Sequence, residues 1–456
     1  MHKYKKYPKY KESGVAWLGE IPEHWEQKRL KAILQERNEK NNPVKTKNIL
    51  SLCMYRGVIP YSEKGNSGNK AKDDLTAYKL AYPNDIVLNS MNVVAGSVGL
   101  SKYFGAVSPV YYMLNPRDIN DNIKYYNAIF QSESFQKSLI GLGNGILVKQ
   151  SEKTGKLNTI RMKISMDSLN NVLMPKPPYQ EQQTIANYLD KATAKIDTLI
   201  QKQEQLIELL KEKRQALISH TVTKGLNPDV KMKDSGIEWL GEIPEHWNLS
   251  KLRFDFSFAK GLTITKANLK EEGIPCVNYG EIHSKYGFEV SAERDKLKCV
   301  DEEYLNSSKI SLLSKGDFVF ADTSEDIDGA GNFTHLIGES QVFAGYHTVI
   351  ARQNNDEQSS RFFAYLFDSI AFRTQIRLAV KGVKVFSITQ FILKNSTLWF
   401  PDSSEQKYIA QYLDDKTSKI DTLINKATKA IELLKERRTA LISAVVTGKI
   451  DVRFNK

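Results

Sequence analysis

Two stretches of this chain are written twice. Ser13 to Trp25 reads SGVAWLGEIPEHW and returns as SGIEWLGEIPEHW from Ser235 to Trp247, differing only at Val15/Ile237 and Ala16/Glu238. A second block, Glu181 to Thr223, returns without a gap as Glu405 to Thr447. The two offsets are 222 and 224 residues. A repeat on this scale decides architecture before local propensity is consulted. The order is head, body, long segment, and then the same three again.

The long segments read as helices. In the first copy Leu189, Ile196, Gln203, Leu210 and Leu217 recur every seven residues, with Ile185, Ala192, Leu199 and Leu206 at the alternate position. The second copy gives Leu413, Ile420, Ala427, Leu434 and Leu441, with Ile409, Leu423 and Ala430 between. Such spacing is a coiled-coil seam. Pro177-Pro178 and Pro401 precede the helices, and Gly225 and Gly448 follow them, as boundary residues do. About 43 residues at ~1.5 Å rise give a rod of roughly 65 Å. Each rod has one stripe to cover and one matching rod to cover it. The expectation is an antiparallel pair with a pseudo-two-fold internal repeat.

The bodies, roughly 26–175 and 248–400, diverge but share a rhythm of short β-rich runs broken by Gly, Asn and Ser. Asp85-Ile86-Val87 followed by Gly96 to Gly99 resembles Asp317-Phe318-Val319 followed by Gly329 to Gly331. The expected fold class is α/β (α+β). Its expected segments are a first head and body over 1–178, a long helix over 179–225, a linker with the second head and body over 226–402, and a second long helix and tail over 403–456. A copied frame with diverged bodies suits two different ligands, or two half-ligands, held at a fixed spacing.

Charge says what kind of ligand. The formal charge is +12 over 456 residues, and the two helical blocks account for only +2 of it. The heads, bodies and termini are therefore basic, which favours a polyanion through counterion release. Candidate contacts to such a polyanion follow from polar, Gly-bearing loops. In the first body they are Arg56, Lys64, Asn66, Asn69, Lys70 and Lys72, then Asn89, Ser90 and Asn92, then Asn144, Lys149 and Gln150. The second body offers Asn278, Tyr279, His283 and Lys285, then Thr323 and Ser324, then Lys381 and Lys384.

Catalytic patterns fail one by one. Lys176-Pro177-Pro178-Tyr179 is one residue from the Asn/Asp-Pro-Pro-Tyr motif of amino-methylating enzymes, but a lysine cannot accept the bond from the target amine. Gly141-Leu142-Gly143-Asn144-Gly145 follows a helical stretch rather than a strand and lacks a partnering acid. Asp402, Glu405 and Lys407 are compressed into one helix start, where Asp402 or Ser404 serves as a cap. No GxxxxGK[ST] loop occurs, and His24 and His246 stand without a second ligand nearby. Cys53, Cys276 and Cys299 form no CxxC pair, which argues against a zinc ribbon or a disulfide framework. There is no secretory h-region or membrane-length apolar run, so the expected location is cytoplasmic. No metal, cofactor or catalytic residue is expected in this chain.

The repeated heads and the Glu-Gln-x-x-Ile-Ala-x-Tyr-Leu-Asp helix starts (Glu181 to Asp190, Glu405 to Asp414) resemble the specificity subunits of type I restriction-modification systems. So do Lys195 to Ile200 with Lys419 to Ile424, and Ala216 to Ser219 with Ala440 to Ser443. The resemblance covers the whole chain, although the bodies match in pattern only. It implies two target-recognition domains reading the halves of a split, asymmetric site in double-stranded DNA. It further implies two modification subunits that methylate adenine from S-adenosylmethionine, and restriction subunits that use ATP and Mg to translocate and cleave. The competing class is a coiled-coil scaffold displaying two protein-binding domains, which would lack salt-dependent DNA affinity. A self-sufficient methyltransferase would need the motifs that are missing.

Overall fold

The computed structural model describes residues 5–53, 56–64, 70–143, 163–380 and 385–454, with the backbone of 149–150 and 157–158. It divides into two compact units, Met1–Glu204 with Thr428–Lys456, and Gln205–Ala427. Each unit therefore owns the first half of one long helix and the last half of the other.

In the first unit β1 (Leu34–Arg37), β2 (Ile86–Asn89), β3 (Val98–Leu100) and β4 (Tyr111–Pro116) form an antiparallel sheet in the order β1-β4-β2-β3. Strand β2 is apolar on both faces because both are covered. Ile86 and Leu88 face a core built by helices α1 (Ile123–Gln131) and α2 (Glu133–Ser138) and by the long helix α3 (Tyr179–Lys224). Val87 packs on the other side with Leu50, Val58 and Met113.

The second unit repeats the plan with different residues. Its sheet has β5 (Phe256–Lys260), β6 (Phe288–Val290), β7 (Phe318–Ala321), β8 (Phe333–Leu336) and β9 (Thr348–Gln353) in the order β5-β9-β7-β8-β6. Only the β6–β8 pair is parallel. Phe318 and Phe320 face a core with α4 (Ser360–Asp368), α5 (Ile370–Ala379) and the long helix α6 (Ser403–Val446), while Val319 and Ala321 face the opposite side.

The divergent bodies hide a third repeat, at an offset of 237 residues. Tyr125, Tyr126, Phe130 and Phe135 of the first unit correspond to Phe362, Phe363, Phe367 and Phe372 of the second, and all eight are fully buried. Ser132 and Ser369 end the equivalent helices, each with its hydroxyl on the carbonyl three residues back. The two aspartates that open the central strands are buried against arginines, Asp85 on Arg37 at 3.1 Å and Asp317 on Arg352 at 3.0 Å. Burial pushes both carboxyls up from the usual range, and hydrogen bonds and the guanidinium oppose that push.

The copied segments are the fastenings. Glu181 accepts from Trp25 Nε1 at 3.0 Å and Tyr7 Oη at 2.5 Å, and lies 2.8 Å from His24 Nε2. Glu405 meets Trp247 Nε1 at 3.3 Å and His246 Nε2 at 2.7 Å. Gln182 donates to Pro177 O and accepts from the backbone N–H of Asn122, and Gln406 does the same with Pro401 O and Ser359 N–H. Each body closes on itself where Glu26–Arg29 pairs with Leu173–Lys176, and Asn248–Lys251 with Thr397–Phe400. Asp402 caps α6, accepting from the N–H groups of Ser404 and Glu405.

The helices pack antiparallel in each unit. Ile185, Leu189 and Ile196 share a core with Leu441, Ile442 and Val445, while Ile218 and Val222 share one with Ile409 and Leu413. The seam phase corrects the sequence reading. Leu199, Leu206 and Leu423 are 48%, 42% and 49% exposed, while Ile200, Ile207 and Ile424 are better covered, and Ile431 is buried where Ala430 is only partly so. Ile185 and Ile409 are buried as expected, but past that first heptad the alternate seam position falls one residue later and includes Thr417, Arg214 and Arg438. Arg214 Nε donates to Asp421 at 3.1 Å, and Arg438 Nε to Asp197 at 2.8 Å. Tracking leucines alone misplaced the stripe because polar residues hold part of the seam. Leu199→Glu is accordingly expected to change stability by no more than about 0.5 kcal/mol, whereas Ile196→Glu, which buries a carboxylate, should cost about 3 kcal/mol. Urea denaturation of the two variants checks this; equal losses would restore the original phase.

Candidate nucleic-acid interface

Each unit opens a cleft at the same place in its sheet. In the first unit β2 ends opposite the start of β4, with Asn89 across from Tyr111. In the second β7 ends opposite the start of β9, with Ala321 across from Thr348. The chain leaving these strand ends forms one wall of a cleft of about 630 Å³ in the first unit and about 710 Å³ in the second. Strand ends suit this task because the sheet fixes the backbone while the departing loops can vary.

The first cleft gathers Lys64, Lys70, Asn89 and Asn92 from three separate segments. Tyr61, Tyr78, Tyr111 and Met91, which sequence reasoning passed over, complete it, and Lys64 Nζ stands 5.2 Å from the Tyr61 ring. Amides and ammonium groups can bond base edges and phosphates, while phenol rings offer stacking area. Arg56 lies outside the cleft lining, exposed and paired with Glu63. Lys72 is exposed too, and its backbone N–H reaches Tyr78 Oη. Ser90 is a correction: it is 1% exposed and donates to Val110 O at 2.8 Å, so it braces the cleft from within. Lys149 and Gln150 form a short strand with Leu157 and Asn158, their side chains lying outside the described residues. Asn66, Asn69, Asn144, Lys381 and Lys384 also lie outside the described residues.

The second cleft takes Thr323 from the candidate set and adds Lys260, Thr263, His347, Gln390 and Phe391. Phe391 is 75% exposed. Tyr279 stands behind the cleft with its ring edge-on to Tyr346 and His347. Three other candidates are corrected. Asn278 is buried and forms a capping box with Glu281 at the start of the helix Tyr279–Ser284. Ser324 is buried with its hydroxyl on Asp326 O at 2.7 Å. His283 has both ring nitrogens engaged: Asn332 Nδ2 donates to Nδ1 at 2.8 Å, which leaves Nε2–H to donate to Thr323 O at 2.8 Å. Arg373 Nη1 fixes Asn332 in turn at 2.6 Å. This chain of bonds positions Thr323 instead of touching a ligand. Lys285 is exposed at the helix end.

Among the described residues no three or more His, Cys, Asp or Glu side chains are grouped to hold a metal ion. No helix among them is long and apolar enough to cross a membrane.

A family model for the type I restriction modification DNA specificity domain matches this chain twice, over residues 22–209 and 244–433. The chain belongs to that family. As a specificity subunit it supplies sequence recognition, not catalysis, and it works with DNA and the other subunits of its system. It is 26% identical over 440 residues to the type I restriction enzyme MjaVIII specificity subunit of Methanocaldococcus jannaschii, covering 95% of this chain and 94% of that one. To the EcoBI specificity subunit of Escherichia coli it is 21% identical over 408 residues, with 86% and 79% covered. A solved chain from a study of type I restriction-modification complex assembly and conformational transition matches its fold. That match has a TM-score of 0.66 at 12% identity, over 93% of this specificity subunit and 98% of that chain.

Proposed function

We propose that the two clefts read the two halves of a bipartite, asymmetric site in double-stranded DNA, one cleft to each half. The observation that carries this reading is their equivalence. They sit at the same strand end of the same plan, on copied fastenings, yet their linings share almost nothing. A frame kept constant around two different polar surfaces is what reading two different half-sites requires. Lysines such as Lys64, Lys70 and Lys260 supply phosphate affinity, while the amides and hydroxyls beside them discriminate base edges.

In this reading two modification subunits bring the adenine methyltransferase and its S-adenosylmethionine, and restriction subunits bring ATP- and Mg-dependent translocation and cleavage. The chain itself holds no cofactor and works in the cytoplasm. The test is methylation-sensitive sequencing of DNA from cells expressing this chain with its modification partners. Expected is methylated adenine in one split motif with a fixed gap, and no methylation from the chain alone. A continuous motif, or methylation by a rigorously partner-free preparation, would overturn the reading. Absence of salt-dependent DNA affinity would leave the scaffold in its place.

A further inference from the structure

His347 is held in a backbone conformation that side chains seldom adopt. Its φ is +55°, in the left-handed region where a Cβ crowds the following carbonyl. The surrounding turn leaves it little freedom. A Cβ on Gly261 would fall 2.0 Å from Gly345 O, and one on Gly345 would fall 1.9 Å from Asn278 Oδ1. Thr348 Oγ1 donates to Gly345 O at 2.6 Å, and the His347 carbonyl accepts from Asp322 N–H at 3.0 Å.

The ring is as carefully placed as the backbone. His347 Nδ1 lies 3.1 Å from Asp322 Oδ1, an oxygen that also accepts from Thr323 Oγ1 at 2.7 Å. Tyr279 and Tyr346 back it edge-on, with ring centroids 5.3 and 6.0 Å away. The side chain is nonetheless 58% exposed and lines the second cleft. Strain kept at an exposed ring, oriented by a carboxylate and backed by two phenols, marks the ring itself as the purpose.

We propose that His347 reads one base pair of the half-site bound by the second unit, accepting through Nε2 from an exocyclic amine, adenine N6 or cytosine N4, in the major groove. This rests on the proposed half-site reading. With Nδ1–H donated to Asp322, Nε2 of the neutral ring carries the free lone pair. In the major groove adenine and cytosine present amines, whereas guanine and thymine present carbonyl oxygens at the matching places. At the equivalent position before β4 the first unit carries Val110, whose carbonyl is held by Ser90. Amine reading at this point is therefore confined to one half-site.

The experiment is selection of a randomised duplex library by the full chain assembled with its modification partners, comparing the parent with His347→Gly and His347→Asn. Glycine accepts the left-handed φ without strain and removes the ring; asparagine tolerates the same φ and supplies a second variant should glycine loosen the turn. Both should melt no lower than the parent. Both should lose discrimination at one adenine or cytosine position in one half-site, by about tenfold, the scale of a lost base contact. The other half-site should be unchanged. Full discrimination in both variants, or a lost preference for guanine or thymine, would overturn the assignment to His347 while leaving two-half reading intact. A parent complex that selects no split sequence would overturn both.

Discussion

A chain carrying seven extra residues after Gln203 and another seven after Ala427 is expected to recognise both original half-sites across a gap longer by roughly two to three base pairs. Helix α3 is unbroken from Tyr179 to Lys224 and α6 from Ser403 to Val446. Seven residues return a seam to nearly the same angular phase, so the inserted turns present the same stripe. They add about 10 Å to each helix, or about three base pairs at 3.4 Å each. Both insertions fall at or beside the divisions between the compact units, so neither the Arg214–Asp421 nor the Arg438–Asp197 bond is separated. Neither cleft is touched, and the half-site sequences should hold. The check is the gap length in methylation maps of the doubly inserted complex. An altered half-site with an unaltered gap would show that the helices do not set the spacing.

The second large effect is expected at Glu181. Its side chain is only 6% exposed, and its carboxylate serves three partners, Tyr7, His24 and Trp25. Burial, first, and the bond to Glu181 keep the Tyr7 phenol protonated far above its ordinary range, so it remains a donor. Glu181→Ala strands the Tyr7 and Trp25 donors in the interior, while His24 can turn to water, and should cost about 3 kcal/mol. Glu405 has two partners and is 29% exposed, and Glu405→Ala should cost about 1 kcal/mol. Glu181→Gln, which keeps one acceptor oxygen, should fall between. Equal losses at Glu181 and Glu405 in urea denaturation would mean that this carboxylate does not secure the head.

The fastenings were the most legible part of the chain because they are copied residue for residue. The helices, their caps, the doubled plan and the kind of ligand all follow from that copying and from where the charge lies. The seam phase was read wrongly because Leu199 and Leu206 look like seam residues, while Arg214 and Thr417, which occupy it, do not. The cleft was half legible. Lys64, Lys70 and Asn92 sit in polar stretches that announce themselves, Asn89 closes strand β2 beside them, and the structure brings the four together. Asn278 and Ser324 look identical in sequence but turn inward, one to cap a helix and the other to bond its own loop. His347 gave no signal, because what distinguishes it is a backbone angle and a carboxylate 25 residues away. Aromatic volume at an offset of 237 was invisible for a different reason: tyrosine and phenylalanine exchange freely where only bulk is needed.

The division of labour between copied and uncopied residues bears on how such a gene can change. Part of the bonding between a body and its helix start comes from the helix side through Gln182 or Gln406, which the body answers with a backbone N–H, at Asn122 or Ser359, that any amino acid can provide. The rest, Lys124 to Asp190 and Arg361 and Tyr365 to Asp414, needs particular body side chains. A foreign body spliced in between the copied segments would find the glutamine attachment already encoded and would have to supply its own partner for the aspartate, Asp190 or Asp414. Exchange of one body between the copied segments is therefore expected to bring a new target while leaving the glutamine bond in place.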